Sequence, residues 1–134
     1  MSNVKKIVLS SVCIMLLIVG IFAVKYLIDL QKYKKIIKEL KIGSVNLSKV
    51  SDGKYIGYCN GIYVEAKVSV RVKDHKITEI IILNHKNERG KPAEVITEKV
   101  LKAQSLQVDT VSGATNSSKV ILKSIENALK SGDQ

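Results

Sequence analysis

The sequence predicts an α+β fold, a small antiparallel sheet backed by helices and preceded by one N-terminal transmembrane helix. Three patterns carry that prediction. From Ile7 to Val24 the chain is apolar except for Ser10, Ser11 and Gly20. From Val64 to Val72 apolar and polar residues alternate, so Val64, Ala66, Val68, Val70 and Val72 share one face of a strand. Val120, Ile121, Leu122, Ile125, Ala128 and Leu129 recur at helical spacing, whereas Lys119, Lys123, Glu126 and Lys130 point elsewhere, which predicts an amphipathic helix running to about Lys130.

The N-terminal stretch spans about 27 Å as a helix, close to the thickness of a bilayer core. Tyr26, Leu27 and Ile28 extend it, with Lys25 placed to snorkel toward head groups. Lys5 and Lys6 with Ala23 also suit a cleaved signal peptide, but Ile21 is a poor small-residue partner for a cut, and the span length favours an uncleaved anchor. Next, Leu30, Tyr33, Ile37 and Leu40 fall at three-and-four spacing among lysines. Such a helix is suited to pairing with a second copy, to lying on anionic lipid, to packing on a larger membrane subunit, or to covering its own domain. The chain thus divides into a short basic tail (1–6), a transmembrane anchor (7–28), a basic amphipathic juxtamembrane helix and linker (29–50) and one small domain (51–134).

Within that domain a strand through Tyr55 to Cys59 precedes the alternating one. After a turn at Asp74 and His75, the β-branched run Ile77 to Leu83 reads as its antiparallel partner and as a central strand covered on both faces. Pro92 begins a helix with Ala93, Ile96, Val100 and Ala103 on one face, and a short strand is expected near Leu106 to Val108. With 134 residues, no Trp and one Phe, the core rests on Val, Ile and Leu, and a large buried catalytic cavity is not expected.

The net charge of +10 reflects lysines gathered after the anchor, Lys25 to Lys41. Without an aromatic stacking set or a nucleic-acid-binding signature, they fit a membrane surface better than nucleic acid. Neither a phosphate loop nor a dinucleotide-binding glycine pattern is present. Cys13 lies in the membrane span, so Cys59 reads as a packed strand residue. His75 and His85 would stand about 30 Å apart along a strand, read as surface or turn residues, and no Cys/His/carboxylate cluster has metal-site spacing.

The most informative segment is Asp109-Thr110-Val111-Ser112-Gly113-Ala114-Thr115-Asn116-Ser117-Ser118, a small-residue loop opening the last helix. Free N–H groups and the positive end of the helix dipole would stabilise a phosphate at Thr115, Gly113 and Ala114 leave the approach open, and Asn116, Ser117 and Ser118 are candidate caps. Read from these residues alone, the same segment is also an ordinary turn and cap, with Asp109 and the hydroxyls bonded to local backbone.

Asp109-x-x-Ser112-Gly113-Ala114-Thr115 resembles the flavin-attachment motif of the FMN-binding domain family, which includes flavoprotein subunits of the sodium-translocating NADH:quinone reductase and of Rnf complexes. The resemblance runs over roughly residues 50 to 130, through Asp52-Gly53-Lys54-Tyr55-x-Gly57, the alternating strand and Lys76-Ile77-Thr78-Glu79-Ile80. It departs from the family at Lys73-Asp74-His75-Lys76, where Asp-Gly is usual, so His75 must accept an unusual backbone angle or a different turn.

The resemblance implies FMN as cofactor, esterified through its phosphate to Thr115 by a separate flavin transferase. Asp109 and Ser112 would assist attachment, Gly113 and Ala114 would give access, and Asn116, Ser117 and Ser118 would help hold the phosphate. It further implies an electron carrier with membrane or extracytoplasmic redox partners rather than a complete enzyme, and no catalytic constellation accompanies the motif. Family placement favours an extracytoplasmic domain, although the lysines after the anchor argue the other way. The alternatives are a non-flavin membrane-associated scaffold, in which Thr115 only caps structure, and a flavin-dependent reductase of a small acceptor.

Overall fold

The alternating stretch becomes the middle of a three-stranded antiparallel sheet, β1 (Gly53–Asn60), β2 (Glu65–Lys73) and β3 (Lys76–Lys86), in the order β1-β2-β3. The computed structural model describes residues 2–86 and 90–133. Val64, Ala66, Val68, Val70 and Val72 are all buried, as the alternation requires. β3 is an edge strand rather than the central one its β-branched run suggested. Ile81 and Leu83 are 41% and 48% exposed, because helices cover only the other face.

Three helices complete the described structure beside short 3₁₀ turns at Leu47–Lys49 and Lys91–Val95. α1 (Ser2–Glu39) is continuous through the anchor and juxtamembrane stretches, and an 18-residue window with mean hydropathy 3.0 makes it long and apolar enough to cross a membrane. The chain forms two compact units, Met1–Lys35 and Ile36–Gln134. In the second, Ile37 is buried beside Gly61 and Val120, so the last apolar position of the juxtamembrane stripe to lie within α1 covers the domain.

α2 (Ile96–Ala103) follows the 3₁₀ turn that Pro92 opens. It buries Ile96 and Val100, with Ala93 of the preceding turn, whereas Ala103 is exposed. No strand forms at Leu106 to Val108. Instead Gln104, left-handed at φ 51°, turns its side-chain amide onto β3: Ile77 N–H donates to Oε1 at 2.8 Å and Nε2 donates to the Ile77 carbonyl at 2.9 Å. That amide supplies at Ile77 the pairing a fourth strand would have supplied.

α3 (Thr115–Ser131) lies against β1 and β2 and buries Val120, Ile121, Leu122, Ile125, Ala128 and Leu129. The approach is close because position 57 has no side chain. A Cβ there would overlap the Ser124 carbonyl oxygen and crowd the backbone of Ala128. Tyr55 fills the space against Gly132 and donates its hydroxyl to the Ser51 carbonyl at 2.7 Å, while Val50 pairs with Asp133, joining the start of the domain to its end.

The hairpin at Lys73–Lys76 resolves the departure at His75. Asp74 and His75 both have positive φ, 51° and 61°, the pattern of a type I′ turn, and Asp52 braces it by accepting the Asp74 N–H at 2.8 Å. A β-carbon in the left-handed region costs about 1 kcal/mol or more. Thus His75→Gly is expected to raise unfolding stability by up to about 1 kcal/mol, whereas Gly57→Ala should cost about 3 kcal/mol by driving α3 off β1; denaturant titration of the detergent-solubilised chain reads both.

Candidate functional site

The loop before α3 is held by one hydroxyl. Ser118, fully buried, accepts the Val111 N–H at 3.0 Å and donates to the Ala114 carbonyl at 2.8 Å. Ala114 N–H also donates to Val111 O at 3.0 Å, closing a turn in which Gly113 takes φ +78°. That angle favours glycine, and a β-carbon at Gly113 would meet nothing within 4 Å, so the space around the turn is open.

The helix is capped two residues before Asn116, the first of the candidate caps. Ala114 is the N-cap and makes no side-chain capping bond, so Asn116, Ser117 and Ser118 are first-turn residues rather than caps. Ser117 and Ser118 are buried, and Ser118 is committed to the loop. Thr115 is the exposed first residue of the helix, with Ser112 and Gly113 also exposed. A phosphate at Thr115 Oγ would therefore meet the N-terminal end of a 17-residue helix without a competing side-chain cap.

Asp109 is exposed, and its carbonyl accepts Lys99 Nζ at 3.2 Å. Asp109 and Thr110 line a groove of about 400 Å³ whose other walls are Leu106 to Val108, Lys119 and Leu122 from α3, and Leu40 and Ile42 from the linker. On the far side of Gln107 to Asp109 lies a more open shelf bordered by Lys99 and Lys102. Lysines thus flank the motif on both sides, a field suited to an anionic group.

The linker wall is fastened by Glu126. The alternating charges of α3 placed this carboxylate on a solvated face, but it is only 1% exposed. Its carboxylate is paired with Lys130 and, at 3.0 Å, with Lys123, and accepts the Gly43 N–H at 3.2 Å. Lys123 also donates to the Lys41 carbonyl at 3.2 Å, and Gln107 Nε2 to the Gly43 carbonyl at 3.4 Å. Burial by itself pushes the Glu126 carboxyl up, but hydrogen bonds from Lys130, Lys123 and Gly43 outweigh it and hold the group below the ordinary glutamate range.

Against this geometry, the sequence profile of the FMN-binding domain matches residues 61–130, more than half of the chain. The chain belongs to the FMN-binding domain family. It is also 34% identical over 84 residues to an NADH:acrylate oxidoreductase of Vibrio harveyi, an alignment covering 60% of this chain and 8% of that protein. The chain therefore spans under a tenth of that relative's length. FMN is the cofactor of this domain, and the exposed Thr115 hydroxyl, uncapped helix start and flanking lysines suit its phosphate.

Inside the FMN-binding domain, histidine and cysteine chemistry is structural. His75 is exposed in its turn, but the His85 side chain is buried, with Nδ1 3.1 Å from Glu94 Oε1, rather than lying on the surface. Cys59 is buried as expected of a packed residue, and burial pushes its thiol up, away from thiolate reactivity.

Two parts of the site escaped sequence reasoning, the Glu126 clamp and the Leu40 and Ile42 wall. The only sequence signal for the first was a Lys-x-x-Glu-x-x-x-Lys spacing in α3, common on solvated helices. Because the folded Glu126 carboxyl sits below its unfolded value, its stabilisation is present above the ordinary glutamate value of about 4.3 and is lost as the pH falls below it. Glu126→Gln should cost about 2 kcal/mol at neutral pH and flatten the acid limb of the unfolding curve, measured as denaturation midpoint against pH.

Proposed function

We propose that the chain is a membrane-anchored electron carrier whose FMN is joined by a phosphoester to Thr115. The observation that carries this reading is the position of Thr115. It is an exposed residue at the start of α3, in the segment that matches the family's attachment motif, with open space at Gly113 although Ala114 is buried rather than leaving the approach open. A flavin transferase would supply FMN activated as a phosphoanhydride. Thr115 Oγ loses its proton and bonds to phosphorus as the P–O bond to the leaving phosphate breaks, which balances the exchange without an oxidant.

The motif residues then divide by role. Asp109, on the rim of the groove, serves attachment. Ser112, Gly113 and Ala114 shape the approach, the helix start with Asn116 and Ser117 favours the phosphate, and Ser118 secures the turn behind it. When bound, FMN supplies the redox chemistry, and the chain supplies attachment, orientation and charge. A self-sufficient reductase would need a general base or substrate constellation beside the motif, whereas a carrier needs the attachment and orientation that the chain supplies.

The length and hydropathy of α1 support a single-pass anchor, and the proposal puts the domain on the extracytoplasmic side. There a covalent bond has a physical advantage, since a dissociating cofactor is lost by dilution while an esterified one stays at high local concentration. Electron donors and acceptors are then membrane or extracytoplasmic redox proteins, with the juxtamembrane lysines drawn to anionic lipid.

Thr115→Val, co-expressed with a flavin transferase, is expected to lose the yellow chromophore and the mass of the adduct while keeping the unfolding midpoint of the parent, because Thr115 is exposed. Thr115→Ser should retain a measurable adduct. Undiminished flavin in Thr115→Val would contradict the assignment.

A further inference from the structure

The groove beside the motif contains residues that lie outside the family-matched stretch 61–130. Leu40 and Ile42 come from the linker between α1 and the sheet, yet they face the same space as Thr110 and Lys119. We infer that this linker is part of the flavin site, with Ile42 and Leu40 forming the wall on which the isoalloxazine ring of Thr115-linked FMN rests. The inference rests on the attachment proposed above.

Four observations converge on it. The groove holds about 400 Å³, within the range of small-ligand pockets, and Leu106, Val108 and Leu122 add apolar lining to that of Leu40 and Ile42, beside the polar Gln107, Asp109, Thr110 and Lys119. It is continuous with the attachment loop, since Asp109 and Thr110 belong to both. Lys119 lies four residues after Thr115 on α3, about 6 Å along the helix axis, a distance the ribityl chain between phosphate and ring can cover. Finally, the linker wall is fixed in place by three polar ties: Gly43 N–H to Glu126, Gln107 to the Gly43 carbonyl, and Lys123 to the Lys41 carbonyl.

The basic shelf at Lys99 and Lys102 is another space near the motif, but it is more open, and Ala103 and Val108 are its apolar lining residues. It suits a charged group better than a ring. The exposed outer face of the sheet, with Ile56 and Ile81, lies opposite the face that α3 covers, so it offers a matched control surface.

The natural chain has no Trp, so an introduced indole is a clean probe. Full-length Ile42→Trp and Ile56→Trp would each be flavinylated with a transferase, their adducts verified by intact mass, and their flavin emission compared with the parent. An indole in contact with the ring quenches it by electron transfer, so Ile42→Trp should lower emission several-fold and Ile56→Trp should leave it near the parent value. As a second variant, Ile42→Ser should raise the flavin's collisional quenching by acrylamide at least two-fold. Emission and quenching unchanged in flavinylated Ile42→Trp and Ile42→Ser would overturn the linker's role while leaving attachment intact. An unmodified parent chain would overturn the attachment itself, and this inference with it.

Discussion

The seating of α3 on β1 fixes everything the site depends on. Because Gly57 presents no side chain, the Ser124 to Ala128 backbone comes directly onto the strand, and Ile121, Ile125 and Ala128 close the core behind it. That contact sets where α3 begins. Its first residue is Thr115, and the Ser118 hydroxyl, one turn along, ties the preceding loop to the same helix through Val111 and Ala114. An exposed hydroxyl is thereby held at the helix's positive end by groups that are themselves buried.

The electrostatics follow from the same helix. Glu126 turns inward where a solvated glutamate would turn out, and Lys123, Lys130 and the Gly43 N–H meet its carboxylate there and offset the cost of its burial. A buried carboxylate with such partners contributes more to uniqueness of arrangement than to raw stability. Here the arrangement it specifies is the course of residues 41–43 along α3, which leaves Leu40 and Ile42 beside Asp109 and Thr110. The carrier reading draws on this economy: a small domain can position a cofactor that is bonded to it beside a groove of about 400 Å³.

Much of the fold was legible in the residues, and the parts that were not share a cause. Strict alternation in β2 and the apolar stripe of α3 report burial directly, so their cores were named residue by residue. Periodicity says nothing about neighbours. The run Ile77 to Leu83 has the composition of a central strand, yet β3 is an edge, because sheet order is set by which element finds room beside it. The expected strand at Leu106 to Val108 is replaced by the Gln104 side chain bonding to Ile77, a long-range substitution with no local signal. Helical spacing puts Glu126 off the apolar stripe, and His85 reads as a surface or turn residue, yet both side chains are buried, Glu126 against Gly43 of the linker with Lys123 and Lys130 of its own helix and His85 beside Glu94. At the motif, the family pattern singled out Thr115, which the structure places at the first position of α3, whereas the helix start shifted because Ala114, not one of the candidate caps, precedes it.

The decisive measurement is tandem mass spectrometry of the tryptic fragment Ala103–Lys119 from the chain purified after co-expression with a flavin transferase. That fragment contains Ser105, Thr110, Ser112, Thr115, Ser117 and Ser118, so the competing hydroxyls are read in one spectrum. Attachment at the start of α3 requires the FMN phosphoester on Thr115 alone, with Ser117 and Ser118 unmodified. An adduct on Ser112 or Thr110, or a fragment with no adduct from a competent transferase, would contradict it.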